Sequence, residues 1–300
     1  MPGNVESTHK TWVAINPLND QHEVPAMSKS EGVNELVQQV GDFYAWIRDY
    51  WTEMGRNQDG ASSGMLNFGL WEDNTVTMFD AEENLRALVA NCLGALPPGA
   101  RGLDIGCGIG GAAIRLVQER DVALTCMDLV PAQLEIGRES ARKAGVAGRI
   151  EFRLGSSMDM PFQDGVFDFS YCMESSFHYA DKSAFFRENC RVLKPGAVAV
   201  VADITCEDNS LVTFRSGNYF LAAEDLRKLM IESGFSVEDV IHIGDRVFKP
   251  LQSYVAQYSA GQRDKLRRYW NLVLRNYSTL SARGKMGYEI FVLRKGGRQR

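Results

Sequence analysis

The sequence predicts an α/β protein built on a mostly parallel sheet. Short apolar runs near 102–105, 123–127, 150–154, 166–171 and 197–203 read as buried strands. They alternate with helix-period segments near 111–120, 131–144 and 182–193, the pattern of right-handed crossovers between parallel strands. The first strand runs straight into Gly106-Cys107-Gly108-Ile109-Gly110-Gly111, a glycine-rich turn that opens a helix.

The other elements follow in order. Residues 1–26 lack periodicity and read as a flexible arm, with Trp12, Val13 and Ile15 available to anchor it on a neighbouring subunit of a homo-oligomer. From Glu35 the apolar positions Leu36, Val37, Val40, Phe43, Tyr44 and Ile47 fall at helical spacing, and Trp46, Tyr50 and Trp51 widen that face. A polar break from Gly55 to Gly64 and an apolar loop, Met65 to Trp71, come next. Residues 27–82 are therefore expected to form a helical lid, mobile over 35–71. A second helix carries Leu85, Leu88, Val89, Cys92, Leu93 and Leu96 until Pro97-Pro98-Gly99 stops it. After Asp203 the pattern lapses, giving an expected substrate-side insertion over 204–222. A helix from Ala223 to Ser233, a strand near 236–242, a helical region within 250–276 and a strand from Tyr288 to Leu293 complete a main domain spanning 83–300 and bring the strands to seven.

Composition narrows the function. The net charge of −5 and the lack of a long basic run argue against a nucleic-acid partner. The six cysteines show no Cys-x-x-Cys pair and sit mostly in apolar patterns, as in a reduced, cytoplasmic protein. The four histidines lack metal-ligand spacing, so no metal is expected. The first 26 residues lack the apolar segment of a signal peptide, and no apolar run is long enough to span a membrane.

Gly106, Gly108 and Gly111 fit a fingerprint in which a ligand lies against bare backbone at a helix N-terminus. Asp104, two residues earlier, would repel a pyrophosphate, which disfavours nicotinamide and flavin cofactors. It would attract a ligand carrying an ammonium and a sulfonium, such as S-adenosylmethionine. Asp128 closes the second strand, where an acid can take both ribose hydroxyls or cap the helix that Pro131 opens.

These motifs, with Leu129 to Gln133, Met160 to Asp168, Met173 to Lys182 and Arg191 to Gly196, resemble the class I S-adenosylmethionine-dependent methyltransferases. The stretch Glu174 to Lys182 and the closing Gly287-Tyr288-Glu289-Ile290 are most similar to a small-molecule branch. That branch includes γ-tocopherol C-methyltransferases, alkaloid N-methyltransferases and rebeccamycin-type sugar O-methyltransferases. The resemblance implies a Rossmann-like sheet whose last strand is antiparallel. It implies that Asp104, Gly106, Cys107 and Gly108 hold the amino-acid end of the cofactor, Asp128 the ribose and Leu129 the adenine, with Gln133 lining the pocket. Ser156, Ser157 and Met158 stand where the family has an Asp and a small residue at the adenine amino group, and Met173 would lie near the transferred methyl.

On the acceptor side the resemblance implies Glu174 and His178 as catalytic residues, and a spacing of four would put them on one helical face. Phe68 and Trp71, in a loop where Asn67 replaces the family's His, offer ring faces to a sulfonium. Phe177, Tyr179 and Asp203 are further candidates for the acceptor rim. The expected acceptor is an apolar aromatic or isoprenoid natural product. Carbon is the first methylated atom to consider, with Glu174 stabilising a developing cation. Nitrogen or oxygen transfer, the latter with His178 as base, and a non-catalytic cofactor-binding regulator stay open.

Overall fold

A computed structural model of the chain describes residues 47–57, 59–212, 217–258 and 265–296. The expected arm over 1–26 and the lid as far as Trp46 lie outside the described residues.

Seven strands form one sheet: β1 (Ala100–Ile105), β2 (Val122–Asp128), β3 (Ile150–Leu154), β4 (Phe167–Met173), β5 (Leu193–Cys206), β6 (Phe235–His242) and β7 (Met286–Lys295). Their order is β3-β2-β1-β4-β5-β7-β6. The first five are parallel, and β7 runs antiparallel between β5 and β6. The helices are α1 (47–54), α2 (Met78–Cys92), α3 (Gly111–Glu119), α4 (Pro131–Lys143), α5 (Lys182–Val192), α6 (Ala223–Glu232), α7 (Phe248–Tyr258) and α8 (Lys265–Ala282). No helix among the described residues is long and apolar enough to cross a membrane.

Local chemistry explains the boundaries. Thr77 and Asp80 form a capping box at the start of α2, and Asp181 caps α5 through the Ala184 amide. Pro131 opens α4, with fixed φ and no amide to satisfy. Alternate strand residues then serve opposite faces. Tyr171, Val200, Ala202 and Ile204 join a core with α2, α3, α7 and α8, whereas Cys172, Ala199 and Val201 pack against α5 and α6. The loop Phe68–Trp71 and α1 belong to the first of these cores.

Two expectations change. The helical region expected within 250–276 is two helices, α7 and α8. Strand β5 is longer than its apolar run, because β7 pairs with it as far as Cys206 opposite Met286. Residues 204–206 therefore continue the strand, and Asp203 lies inside it at 1% exposure, not at a rim.

The strand order reverses between β1 and β4, and the crevice outside a parallel sheet's carboxyl ends opens at such a switch point. The glycine turn after β1 sits there. At Gly111, where α3 starts, a Cβ would overlap the Gly64 carbonyl, so the chain before Met65 lies directly on the helix start. Gly111→Ala should cost about 1–3 kcal/mol through this overlap. Urea unfolding measures it, and an unchanged midpoint would contradict the close approach.

Candidate active site

The glycine turn is held from below by strand ends. Asp104 lies opposite Tyr171 in the β1–β4 register, and the Tyr171 hydroxyl donates to its Oδ2 at 2.8 Å. Burial pushes the Asp104 carboxyl up to about 7, partly countered by that hydrogen bond. A buried acid bonded to a hydroxyl and facing the like charge of Asp128 is complementary to a cation, which fits the ammonium and sulfonium expected of the ligand. Asp128 accepts from the Gly108 amide through Oδ2 and from the Val130 amide through Oδ1, each at 2.9 Å. Each oxygen keeps a second lone pair, so tying the turn to α4 leaves room to accept from a diol. Gln133 is buried, with Oε1 against the face of Gly108 that lacks a Cβ.

Gly106 has φ +73°, and a Cβ there would collide with Ser175 and meet the Tyr179 hydroxyl. Ser175 Oγ and Tyr179 Oη are hydrogen-bonded at 2.6 Å, and Ser157 also bonds the Tyr179 hydroxyl. Tyr179 thus belongs beside the glycine turn, a correction to its expected place among the acceptor residues. Ser156 accepts the Met158 amide at 3.2 Å and pairs with Asp159, closing a small turn beyond β3. Leu129 and Met173 are half-buried at the ends of β2 and β4, and Cys107 is half-buried in the turn.

A second centre forms around Glu174. Among the described residues it is the one non-glycine with positive φ, +50°. A left-handed residue with a Cβ costs on the order of 1–2 kcal/mol, so its surroundings must impose it. They do: Glu174 Oε1 accepts from the Phe68 amide at 2.8 Å and from the Tyr288 hydroxyl at 2.9 Å. Burial, opposed by these two bonds, raises the carboxyl to about 8. Phe68 stacks on Trp51, with centroids 5.7 Å apart, and Trp71 donates its indole N–H to the Phe68 carbonyl at 3.1 Å while packing on Tyr254. Glu82 on α2 grips the same loop, accepting from the Ser63 hydroxyl at 2.5 Å, and burial drives its carboxyl well above the usual range.

His178 forms a third centre. Residues Ser176–His178 are a single 3₁₀ turn, so Glu174 and His178 do not share a helical face as their spacing suggested. The left-handed Glu174 turns the chain, and the Asp181 cap starts α5 too soon for a longer helix. His178 Nδ1 is 3.0 Å from the Gly217 carbonyl, which only accepts, so Nδ1 carries the hydrogen and Nε2 the lone pair. Burial lowers this imidazole to about 4, leaving it neutral at physiological pH. Phe177 packs on the His178 ring at 4.1 Å and stacks on Phe220 at 5.6 Å. Asp203 accepts from the Ser176 hydroxyl beneath this turn, near the buried Lys182, whose ammonium donates to the Ser176 carbonyl at 2.6 Å. It supports the turn from inside the protein, a correction to the rim position expected for it.

Tertiary structure adds Tyr288, Ser175, Glu82 and Tyr171 as direct supports of these groups. The Tyr171 bond to Asp104 joins two strands 67 residues apart in sequence and leaves no spacing signal. Glu174 ionises near pH 8 when folded, against an ordinary 4.5. The unfolded chain releases this proton first, so the stability from this group is full below about 4.5 and is lost as pH rises through 8. Glu174→Gln keeps an accepting oxygen and removes the ionisation. Its stability relative to wild type should therefore rise between pH 5 and pH 9, on the order of a few kcal/mol in thermal unfolding. A difference independent of pH would contradict a neutral Glu174.

Comparison with known proteins agrees with this geometry. Residues 103–201 match the family of the methyltransferase domain. The O-methyltransferase resE of Aspergillus sclerotiorum is 31% identical over 196 residues, covering 62% of this chain and 74% of that one. The O-methyltransferase cnsE of Penicillium expansum is 29% identical over 219 residues, 69% of this chain and 76% of the relative. Among solved structures, the cyclase SpnF superposes with a TM-score of 0.73 at 25% identity, over 87% of this chain and 96% of its own. The geranyl diphosphate C-methyltransferase of Streptomyces coelicolor A3(2) gives 0.68 at 16% identity, over 84% and 98%, a likeness of fold alone. With the switch-point glycine turn, its buried acid and these relatives together, the chain belongs to the class I S-adenosylmethionine-dependent small-molecule methyltransferases.

Proposed function

We propose that the protein methylates a hydroxyl oxygen of an apolar, ring-bearing natural product. The observation that carries this reading is the half-buried His178, bonded also by the Asn218 side chain, with its proton fixed on Nδ1 by the Gly217 carbonyl. The bound cofactor supplies an electrophilic methyl on a sulfonium. The remaining tasks, alignment of the acceptor and exclusion of water, fall to the chain. Asp104 and the backbone at Gly106 and Gly108 hold the amino-acid end, Asp128 the ribose, and Ser157, Ser175 and Tyr179 close over the turn. His178 Nε2 takes the acceptor proton. That proton becomes strongly acidic as the new C–O bond forms, so a weak base is sufficient.

Carbon methylation required a charged Glu174 facing the acceptor. Its Oε1 instead accepts from the Phe68 amide and the Tyr288 hydroxyl, and burial raises its carboxyl to about 8, which favours the protonated form at pH 7. Relatives named as O-methyltransferases support the same choice. Rings at Phe177, Phe220 and Tyr277 supply the apolar surface for the acceptor.

Transfer to oxygen predicts that His178→Ala lowers kcat about 100-fold or more, the scale of a lost general base, while Glu174→Gln stays within about tenfold of wild type. A fully active His178→Ala would sink the assignment. The rate should be level from pH 6 to pH 8 and fall as pH drops toward about 4, where His178 gains its proton. A rate that halves near the ordinary imidazole value would contradict the burial of His178. For the cofactor, Asp128→Ala should weaken S-adenosylhomocysteine binding by roughly 2–3 kcal/mol in calorimetry. Unchanged affinity would remove Asp128 from the site.

A further inference from the structure

Arg267 on α8 is only 8% exposed. Its guanidinium lies over the rings of Tyr50, at 5.5 Å, and Tyr258, at 4.9 Å. Nη1 donates to the Tyr258 carbonyl at 3.2 Å, but among the described residues the buried Nε has no hydrogen-bond partner. Glu53, the acid that joins this cluster, is exposed and bonds the Tyr258 hydroxyl. Trp270, one turn further along the same face of α8, is also buried with an unpartnered indole N–H.

A buried charge without a counterion is costly, and arginine cannot shed its proton as a lysine can. Ring faces return part of that cost. Packing alone would be served as well by a methionine or leucine. The two unpartnered donors point to a ligand that brings an acceptor group of its own. The guanidinium edge that includes Nε matches a planar carboxylate, and one positive charge balances one carboxylate rather than a diphosphate.

The aromatic cluster connects this point to the reaction centre. Trp270 packs on Trp51 at 4.7 Å and on Phe68 at 6.1 Å, and the Phe68 amide holds Glu174. Trp270, three residues after Arg267 on α8, thus links the guanidinium end of the cluster to Phe68.

We propose that Arg267 and Trp270 form a carboxylate-recognition subsite, so that the acceptor is an amphiphile with an acid at one end and the methylated hydroxyl near His178. This rests on the acceptor reading above and specifies its substrate class.

The test is calorimetric titration of the full chain, saturated with S-adenosylhomocysteine, with phenylbutyrate and its neutral analogue phenylbutyramide. Wild type should bind the acid roughly tenfold more tightly, and Arg267→Met should abolish that preference. Arg267→Lys, which keeps the charge but not the planar fork, should weaken the acid and leave the amide unchanged. It carries the test if Arg267→Met does not fold. Equal binding of the two probes by wild type, a preference that survives in Arg267→Met, or an unchanged acid affinity in Arg267→Lys overturns the proposal. His178→Ala should keep the acid preference while losing methyl transfer, so failure of the oxygen-transfer reading and failure of the subsite are distinct results.

Discussion

The carboxyl of Glu174 joins three parts of the chain that are remote in sequence. Its Oε1 collects the Phe68 amide from the N-terminal loop and the Tyr288 hydroxyl from the last strand, while its own amide continues the β4–β5 ladder to the Ala202 carbonyl. The left-handed backbone at Glu174 is the strain this junction imposes. It redirects the chain so that Ser175 and Tyr179 fall over the glycine turn and His178 falls on the acceptor side. The placement of both halves of the site therefore depends on one oxygen with two donors.

Buried acids set the electrostatics. Asp104, Glu174 and Asp203 are each raised by burial, to about 7, 8 and 6. Near neutral pH the raised value of Glu174 favours its protonated form, whereas Asp104 lies near its midpoint. The Ser176 hydroxyl and, after it, the Lys182 ammonium under the 3₁₀ turn keep Asp203 closest to its ordinary range of the three. Arginine at 267 stands apart, in the first turn of α8 and stacked between rings.

The core beside Glu174 is assembled from pieces with no fingerprint of their own. Trp51 from α1, Phe68 from the loop, Phe248 from α7 and Trp270 and Tyr277 from α8 meet in one aromatic cluster.

The alternation of apolar strands with helix-period segments determined the parallel sheet, because each strand must be buried on both faces and each crossover must return on one hand. The glycine turn, Asp104 and Asp128 were legible because close backbone approach and charge complementarity act through residues near in sequence. The tertiary structure decided the rest. Strand β5 reached Cys206 because β7, some 80 residues later, pairs with it to that point. The roles of Asp203 and Tyr179 changed because their partners, Ser176, Lys182 and the Gly106 backbone, are set by packing and not by spacing. Glu174 looked like a free carboxylate in the sequence. Its raised pKa follows from burial, against the opposing hydrogen bonds from Phe68 and from Tyr288, 114 residues away, and no local pattern reveals that burial.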